Sequence, residues 1–374
     1  MKRKTLKNNV VTKVVAGLLA VVVFVGQHEM SVRQRGTEQG RHPGDLDVAR
    51  AERLVHGALS PRAGGQLAQA EEEERYTAQP GSVCMNSETN AWSKSFFIPT
   101  QVYQAGGEFY VADAYHQQVL HSSSVASNPE SWSIMANGLY RPHATASDGV
   151  IYVVVDTDNN RVVTYMKTEN GYQMLESIPD VGIRPHYIVY DKATASFYVW
   201  SSMTGTMYVY RRDQKTNQLK LSKAVRIKEL DGCYTRSFTI EGGTIYFPCV
   251  AKSAIFAVNK KSFKVRAVYP VETALSEMVQ VLHIQNYYYL VTSNDSTREK
   301  EPKFVRATSL AGFGNGSYED VKSMFGGMDG NPYYITQGED GHFYCPVIEG
   351  SGEDYICQFD IQNDTICNVL QYFY

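Results

Sequence analysis

GLYRPHATASDGVIYVVVDTDNNRVVTYM, Gly138 to Met166, decides the fold. It reads as three short strands, PHATAS, IYVVVD and RVVTYM, with turns between them. Val, Ile and Tyr fit a pleated surface, and the Asp148-Gly149 pair between two such runs is a hairpin signal. The same plan recurs five more times. A tyrosine following a turn anchors each copy, at Tyr110, Tyr152, Tyr198, Tyr246, Tyr289 and Tyr344, with spacings of 42, 46, 48, 43 and 55 residues. One short strand precedes each anchor and another follows it, and several copies add a fourth, such as WSIMA or YQMLESI. Four short antiparallel strands at this period are the mark of a propeller blade. The sequence therefore predicts an all-β, six-bladed β-propeller with four-stranded antiparallel blades. A single blade cannot bury both its faces, so blades stack around an axis and the ring removes most free strand edges. The fifth copy is irregular: NDSTREKEPK interrupts it, and Gly314 to Phe325 reads as helix or loop.

Upstream, the chain changes character. Five Lys or Arg precede Val14, and Val14 to Gly26 is an unbroken apolar run of 13 residues. A basic stretch followed by an apolar run of this length is the export pattern, read either as a cleaved signal peptide or as a short membrane anchor spanning 1–26. The basic end stays cytoplasmic, so the bulk of the chain is expected outside, secreted or membrane-anchored. Residues 27–83 are rich in Arg, Glu, Gln, Gly and Ala and hold no Phe, Trp or Cys, which reads as a flexible spacer. Residues 84–374 form the propeller. Net charge is −3 over 374 residues, which excludes a global basic field for nucleic acid. Nothing calls for an oligomer, and a monomer is expected. The six cysteines include no C-x-x-C, which argues against a zinc ribbon or a thioredoxin-type site. Three of them, Cys345, Cys357 and Cys367, fall in the last 30 residues and suggest a C-terminal clasp through two of them.

IYVVVDTDNNRVVTY (Ile151 to Tyr165) resembles the core of an NHL-type repeat, and FYVADAYHQQVL (Phe109 to Leu120) resembles a second copy with His116 and Gln117 where Asn is usual. The chain thus resembles secreted six-bladed propellers of the NHL and TolB-like type over its last 280 residues or so. The resemblance speaks for fold and not for one function, because the superfamily includes lyases, lactonases, receptor ectodomains and binding scaffolds. It also implies that Asp113 and Asp156, with Arg161, hold the blade turns together.

Aligning the copies on their anchor tyrosines gives one chemical column. Thr100, His143, His186, Ser237, Gln280 and Tyr333 stand at the start of the innermost strands, and all are polar. Buried without partners they would be costly, so a water-filled or ligand-filled channel is expected. His143 and His186 occupy adjacent copies, each in an Arg-Pro-His triplet with Arg141 and Arg184. Two neutral imidazoles side by side can share a divalent metal or a substrate carboxylate, and the arginines can hold an anion. PAL-type amidating lyases, which share this fold, hold zinc on histidines near the axis. Here two histidines stand in the column and no Asp or Glu joins them. Tyr115 and His116 belong either to the mouth or to a plain surface loop. There is no G-x-S-x-G, H-E-x-x-H or Walker loop. The leading expectation is an extracytoplasmic module recognising a protein, peptide or glycan at a propeller face or channel mouth. The alternatives are a metal-assisted lyase or hydrolase around His143 and His186, and a structural component of the cell envelope.

Overall fold

The computed structural model describes Val83–Cys84 and residues 94–374, apart from 127, 295–299 and 351–352. The export segment, and the spacer up to residue 82, lie outside the described residues. Six antiparallel sheets follow one another in chain order as blades 1 to 6. Their innermost strands are Pro99–Ala105, Pro142–Ser147, Pro185–Asp191, Thr239–Glu241, Met278–Ile284, and in blade 6 the pair Asn331–Pro332 and Thr336–Gln337. Blade 5 is the irregular one, with a two-residue outer strand, Glu319–Asp320, and the short helices Gly312–Asn315 and Lys322–Phe325 beside it.

The apolar runs have a simple cause. Ile151–Asp156, Ser196–Ser201 and Phe343–Ile348 are buried at every position, because neighbouring blades cover both faces of each second strand. Trp200 of blade 3, fully buried, meets Phe247 of blade 4 with ring centroids 4.5 Å apart. The outer strand Val265–Pro270 alternates half-buried and exposed residues, as one covered face requires.

Asp113 and Asp156 are the hubs that the repeat implies. Asp156 accepts from Tyr140 N at 2.6 Å, Asn159 Nδ2 at 2.9 Å and Arg161 Nε at 2.6 Å. Asp113 takes Phe97 N at 2.8 Å, Gln118 Nε2 at 2.9 Å and His116 Nδ1 at 2.8 Å. His116 thus fills the place of Asn159 and serves the blade, whereas its neighbour Tyr115 turns to the mouth.

The ring closes without strand exchange: blades 1 and 6 are each drawn from one continuous stretch. Closure comes from a parallel bridge between Gln101 and Tyr334, from Tyr334 N donating to Thr100 O at 3.3 Å, and from Thr336 Oγ1 donating to Val102 O. Tyr374 packs edge-on against Phe96 at 4.8 Å and Trp132 at 6.0 Å. Val83–Cys84 lies elsewhere, paired with Gly171–Ile178 at the rim of blade 2. The expected C-terminal clasp is absent. Cys345, Cys357 and Cys367 are thiols, the first two directly opposite each other in a regular ladder and Cys367 opposite Asp360.

Asp354 is a further closing contact, accepting Ile98 N at 2.6 Å and Glu349 N at 2.9 Å. Burial outweighs those two donors and pushes its carboxyl up to about 6. A carboxyl whose folded pKa exceeds its unfolded value of about 3.9 binds its proton more tightly when folded. Its contribution is therefore full below about pH 4 and lost as pH rises through about 6. Asp354→Asn should remove this dependence. The stability difference between wild type and variant, from denaturant unfolding at pH 4.5 and 7.5, should change by about 2 kcal/mol. A constant difference would show that Asp354 titrates normally.

Candidate functional site

The innermost strands place the polar column at one end of the axis, where each strand begins. Thr100, His143 and His186 are each the extra residue of a β-bulge, between Pro99 and Gln101, Pro142 and Ala144, and Pro185 and Tyr187. A bulge re-aims one side chain without breaking the ladder. In blade 5 the bulge falls between Met278 and Gln280, so Val279 is the counterpart of His143 and Gln280 sits one layer deeper. The sequence alignment is off by one there because blade 5 begins Met278-Val279 with no proline to mark the entry.

The column divides by role. Thr100 Oγ1 donates to His143 O at 2.8 Å, and Ser237 Oγ donates to Val279 O at 2.7 Å. Gln280 Oε1 accepts Ile335 N at 2.7 Å, just as Gln101 Oε1 accepts Thr145 N at 2.6 Å. These side chains stitch blade 1 to 2, blade 4 to 5 and blade 5 to 6 at their innermost strands, which satisfies these atoms without water. Beneath them Tyr187, Phe238 and Tyr334 fill the axis, with Tyr187 at 4.5 Å from Tyr334 and 5.6 Å from Phe238, all buried. The expected filled channel is thus a shallow mouth over an aromatic floor.

His143 and His186 do meet, with ring centroids 4.1 Å apart. Their tautomers follow from acceptors that cannot donate. His143 Nδ1 faces Arg141 O at 2.7 Å, so Nδ1 carries the proton and Nε2 is a bare lone pair. Tyr334 OH donates to Arg236 O at 2.7 Å, so its oxygen accepts from His186 Nδ1, also at 2.7 Å. His186 Nε2 is then the lone pair, with Tyr234 OH 3.4 Å away. Burial, then the charges of Arg184, Arg141 and Arg236, push His143 down to about 3. His186 is pushed well below its usual value by burial, then by His143, Arg184 and Arg236. Both rings are neutral at pH 7 and stay so under mild acid.

Around them stands a cationic rim. Arg141 Nη1 and Arg184 Nε each lie 3.2 Å from the Asp158 carboxylate, which they share. Among the described residues the Arg184 guanidinium makes this ion pair and no hydrogen bond. Arg141 stacks over Tyr115 at 5.1 Å, and Arg236 over Tyr234 at 5.0 Å. Arg236 Nη1 reaches Met278 O at 3.3 Å, and Glu277 lies 3.9 Å from Nη2. Burial pushes the Tyr115 phenol up to about 12 and raises Tyr333 as well, so both are neutral donors. Three guanidiniums thus face two carboxylates and two neutral imidazoles. Among the described residues no cluster of three His, Cys, Asp or Glu could hold a metal ion.

Arg236, Tyr234, Asp158 and Glu277 escaped the sequence reading. The signal was one or two residues upstream of the column, where Arg141, Arg184, Arg236 and Glu277 all stand, and two residues after each hub aspartate, where Tyr115 and Asp158 stand.

No protein-family model matches the chain, and no curated protein matches it. Among solved structures, a candidate 6-phosphogluconolactonase from Bacteroides uniformis is 12% identical with a TM-score of 0.51, over 75% of this chain and 85% of that one. A hydrazine synthase from Kuenenia stuttgartiensis is 16% identical with a TM-score of 0.47, over 70% and 76% of the two chains. A protein from Lactobacillus plantarum is 13% identical with a TM-score of 0.46, over 74% and 81%. At such identities the likeness speaks for the propeller fold alone.

Proposed function

We propose that this chain is an extracytoplasmic binding propeller whose mouth recognises the anionic, hydroxyl-bearing end of a ligand, such as an acidic glycan or sugar acid. The observation that carries this reading is the Arg184 guanidinium, charged, largely buried and without a hydrogen bond. A guanidinium presents planar paired donors that match a carboxylate or phosphate. Beside it the bare Nε2 atom of His143 accepts a hydrogen bond from a hydroxyl, while that of His186 already faces Tyr234 OH, and Tyr115 and Tyr333 donate. With imidazoles this far below neutrality, the pair is a poor general base at pH 7, which favours binding over acid–base chemistry.

Calorimetric titration with D-gluconate, neutral glucose and acetate tests the reading. Gluconate should bind, and more tightly than either of the others. Its affinity should vary by less than about threefold between pH 5.5 and 8, because His143 and His186, both held far below their usual range, stay neutral throughout. Equal binding of gluconate and glucose, or none at all, would remove the anion reading.

One observation favours a second reading, a metal-assisted lyase or hydrolase: both Nε2 lone pairs are neutral and their rings adjacent. Two imidazoles without an acidic partner make a weak zinc site. Elemental analysis of the purified protein, with and without His143→Ala, decides it: stoichiometric zinc lost in the variant supports this reading and its absence ends it.

A further inference from the structure

The other end of the axis has the opposite character. There the innermost strands finish, and a cleft of about 530 Å³ opens between blades 5 and 6. Its walls are the ends of Met278–Ile284, Thr336–Gln337 and Tyr355–Gln362 and the start of Phe343–Ile348. Hydrogen bonds brace these walls. Gln285 ties the two blades together, donating from Nε2 to Ile361 O at 2.9 Å and accepting Asp364 N at 2.7 Å. The turn at Asp340 is held from blade 1, where Gln104 Oε1 accepts Asp340 N at 3.1 Å. The Asp340 carboxylate accepts His342 N at 3.1 Å and Tyr344 OH at 2.7 Å. The cleft is therefore formed in advance, which lowers the cost of filling it.

Two histidines line it in the same manner. His283 Nδ1 faces Glu241 Oε1 at 2.6 Å, and His342 Nδ1 faces Asp360 Oδ1. A carboxylate only accepts, so each Nδ1 carries a proton and the neutral ring keeps a bare Nε2. Among the described residues neither Nε2 has a hydrogen-bond partner. The two side chains are 31% and 39% exposed, so a ligand can reach them. Asp340 and Asp360 add carboxylate acceptors, and among the described residues no Lys or Arg lines the cleft. Phe343 and Ile361, both buried, supply an apolar floor.

We infer that this cleft is a second ligand site, for a ring that bears hydroxyls and a protonated amine, namely an amino sugar. The volume suits a small sugar, since ligand pockets run from about 300 to 1,000 Å³. Walls rich in acceptors call for a ligand rich in donors, which hydroxyls and an ammonium group supply. Two carboxylates with no lining Lys or Arg favour a positive ligand over a negative one. The apolar floor takes the carbon-bound face of the ring. A sugar acid is disfavoured here, and the guanidiniums of the mouth disfavour an amino sugar there. The two ends of the axis thus sort ligands by charge.

The test is NMR titration of the full-length protein at pH 7 with D-glucosamine, D-glucose and D-gluconate, read on the imidazole signals. The signals are assigned by the loss of one each in His283→Gln and His342→Gln. Glucosamine should shift the His283 and His342 signals to saturation, with at least about fivefold higher affinity than glucose. Gluconate should leave both in place, and any effect it has on His143 and His186 reports on the mouth alone. Asp340→Asn, close to isosteric, should weaken glucosamine by about three- to tenfold, as loss of a charge-assisted contact requires. The absence of a glucosamine shift at His283 and His342 would overturn the inference. Equal affinity for glucose, a gluconate shift at these two histidines, or unchanged glucosamine affinity in Asp340→Asn would overturn it as well.

Discussion

Asp156→Ala is expected to destabilise the propeller by about 3–5 kcal/mol, the range for breaking a buried ion pair from one side. The carboxylate is fully buried and three donors converge on it. Alanine leaves the Tyr140 amide, the Asn159 amide and the Arg161 guanidinium facing a small void. Arg161 is 6% exposed, and its remaining contacts, Ser177 Oγ at 3.3 Å and Gly138 O at 3.4 Å, are too long to replace the lost pair. A buried, unpaired cation is the dominant cost. The double variant Asp156→Ala with Arg161→Met should therefore recover part of the loss, because it removes the stranded charge with its partner. Asp113→Ala should cost less, about 1–3 kcal/mol, because its donors are the Phe97 amide, Gln118 and a histidine rather than a guanidinium. Denaturant unfolding of the three variants measures all of this. A cost below about 1 kcal/mol for Asp156→Ala would mean that water enters and solvates Arg161.

The contrast between those hubs explains what could be read from the chain. Strand runs, turn pairs and hub aspartates are local, so a period of roughly one blade exposes them directly. Asp156 stands five residues before Arg161, within one hairpin, and its role is visible in the sequence of that hairpin. The mouth is different. Its groups come from all six blades and meet only because the ring brings the strand entries together. Asp158 binds Arg184, 26 residues on, and Tyr334 orients His186 from the far end of the chain. Alignment by blade recovered His143, His186 and their arginines, since Arg-Pro-His repeats intact. It missed Arg236 because blade 4 has no proline at its entry, and it misplaced Gln280 because a bulge shifts the count by one. Polarity alone also could not tell a stitch from a site. Thr100, Ser237 and Gln280 are as polar as His143, yet the backbone of the next blade takes up their hydrogen bonds.

Arg184→Met is expected to weaken gluconate binding by about 10- to 100-fold, the equivalent of losing a charge-assisted hydrogen-bonded contact. Methionine keeps much of the stem's packing while removing charge and donors. Three features make Arg184 the informative choice. Its guanidinium pairs with Asp158 and makes no hydrogen bond of its own, so its donors are available to a ligand. It lies beside both imidazoles, whose depressed basicity registers its charge. Its partner Asp158 keeps Arg141 at 3.2 Å, so the variant does not strand an unpaired carboxylate, and unfolding stability should fall by no more than about 1 kcal/mol. Arg184→Lys separates charge from geometry. A lysine restores the field of the mouth but not the planar fork, so affinity should recover only in part if the contact is bidentate and fully if the site acts through charge alone. Removing Arg184 also removes a cation that opposes protonation of His143 and His186. Their pKa values should rise in the variant, which proton-detected titration of the two imidazoles reads without any ligand. Unchanged affinity together with unchanged imidazole titration would place Arg184 outside the mouth and end the anion reading with it.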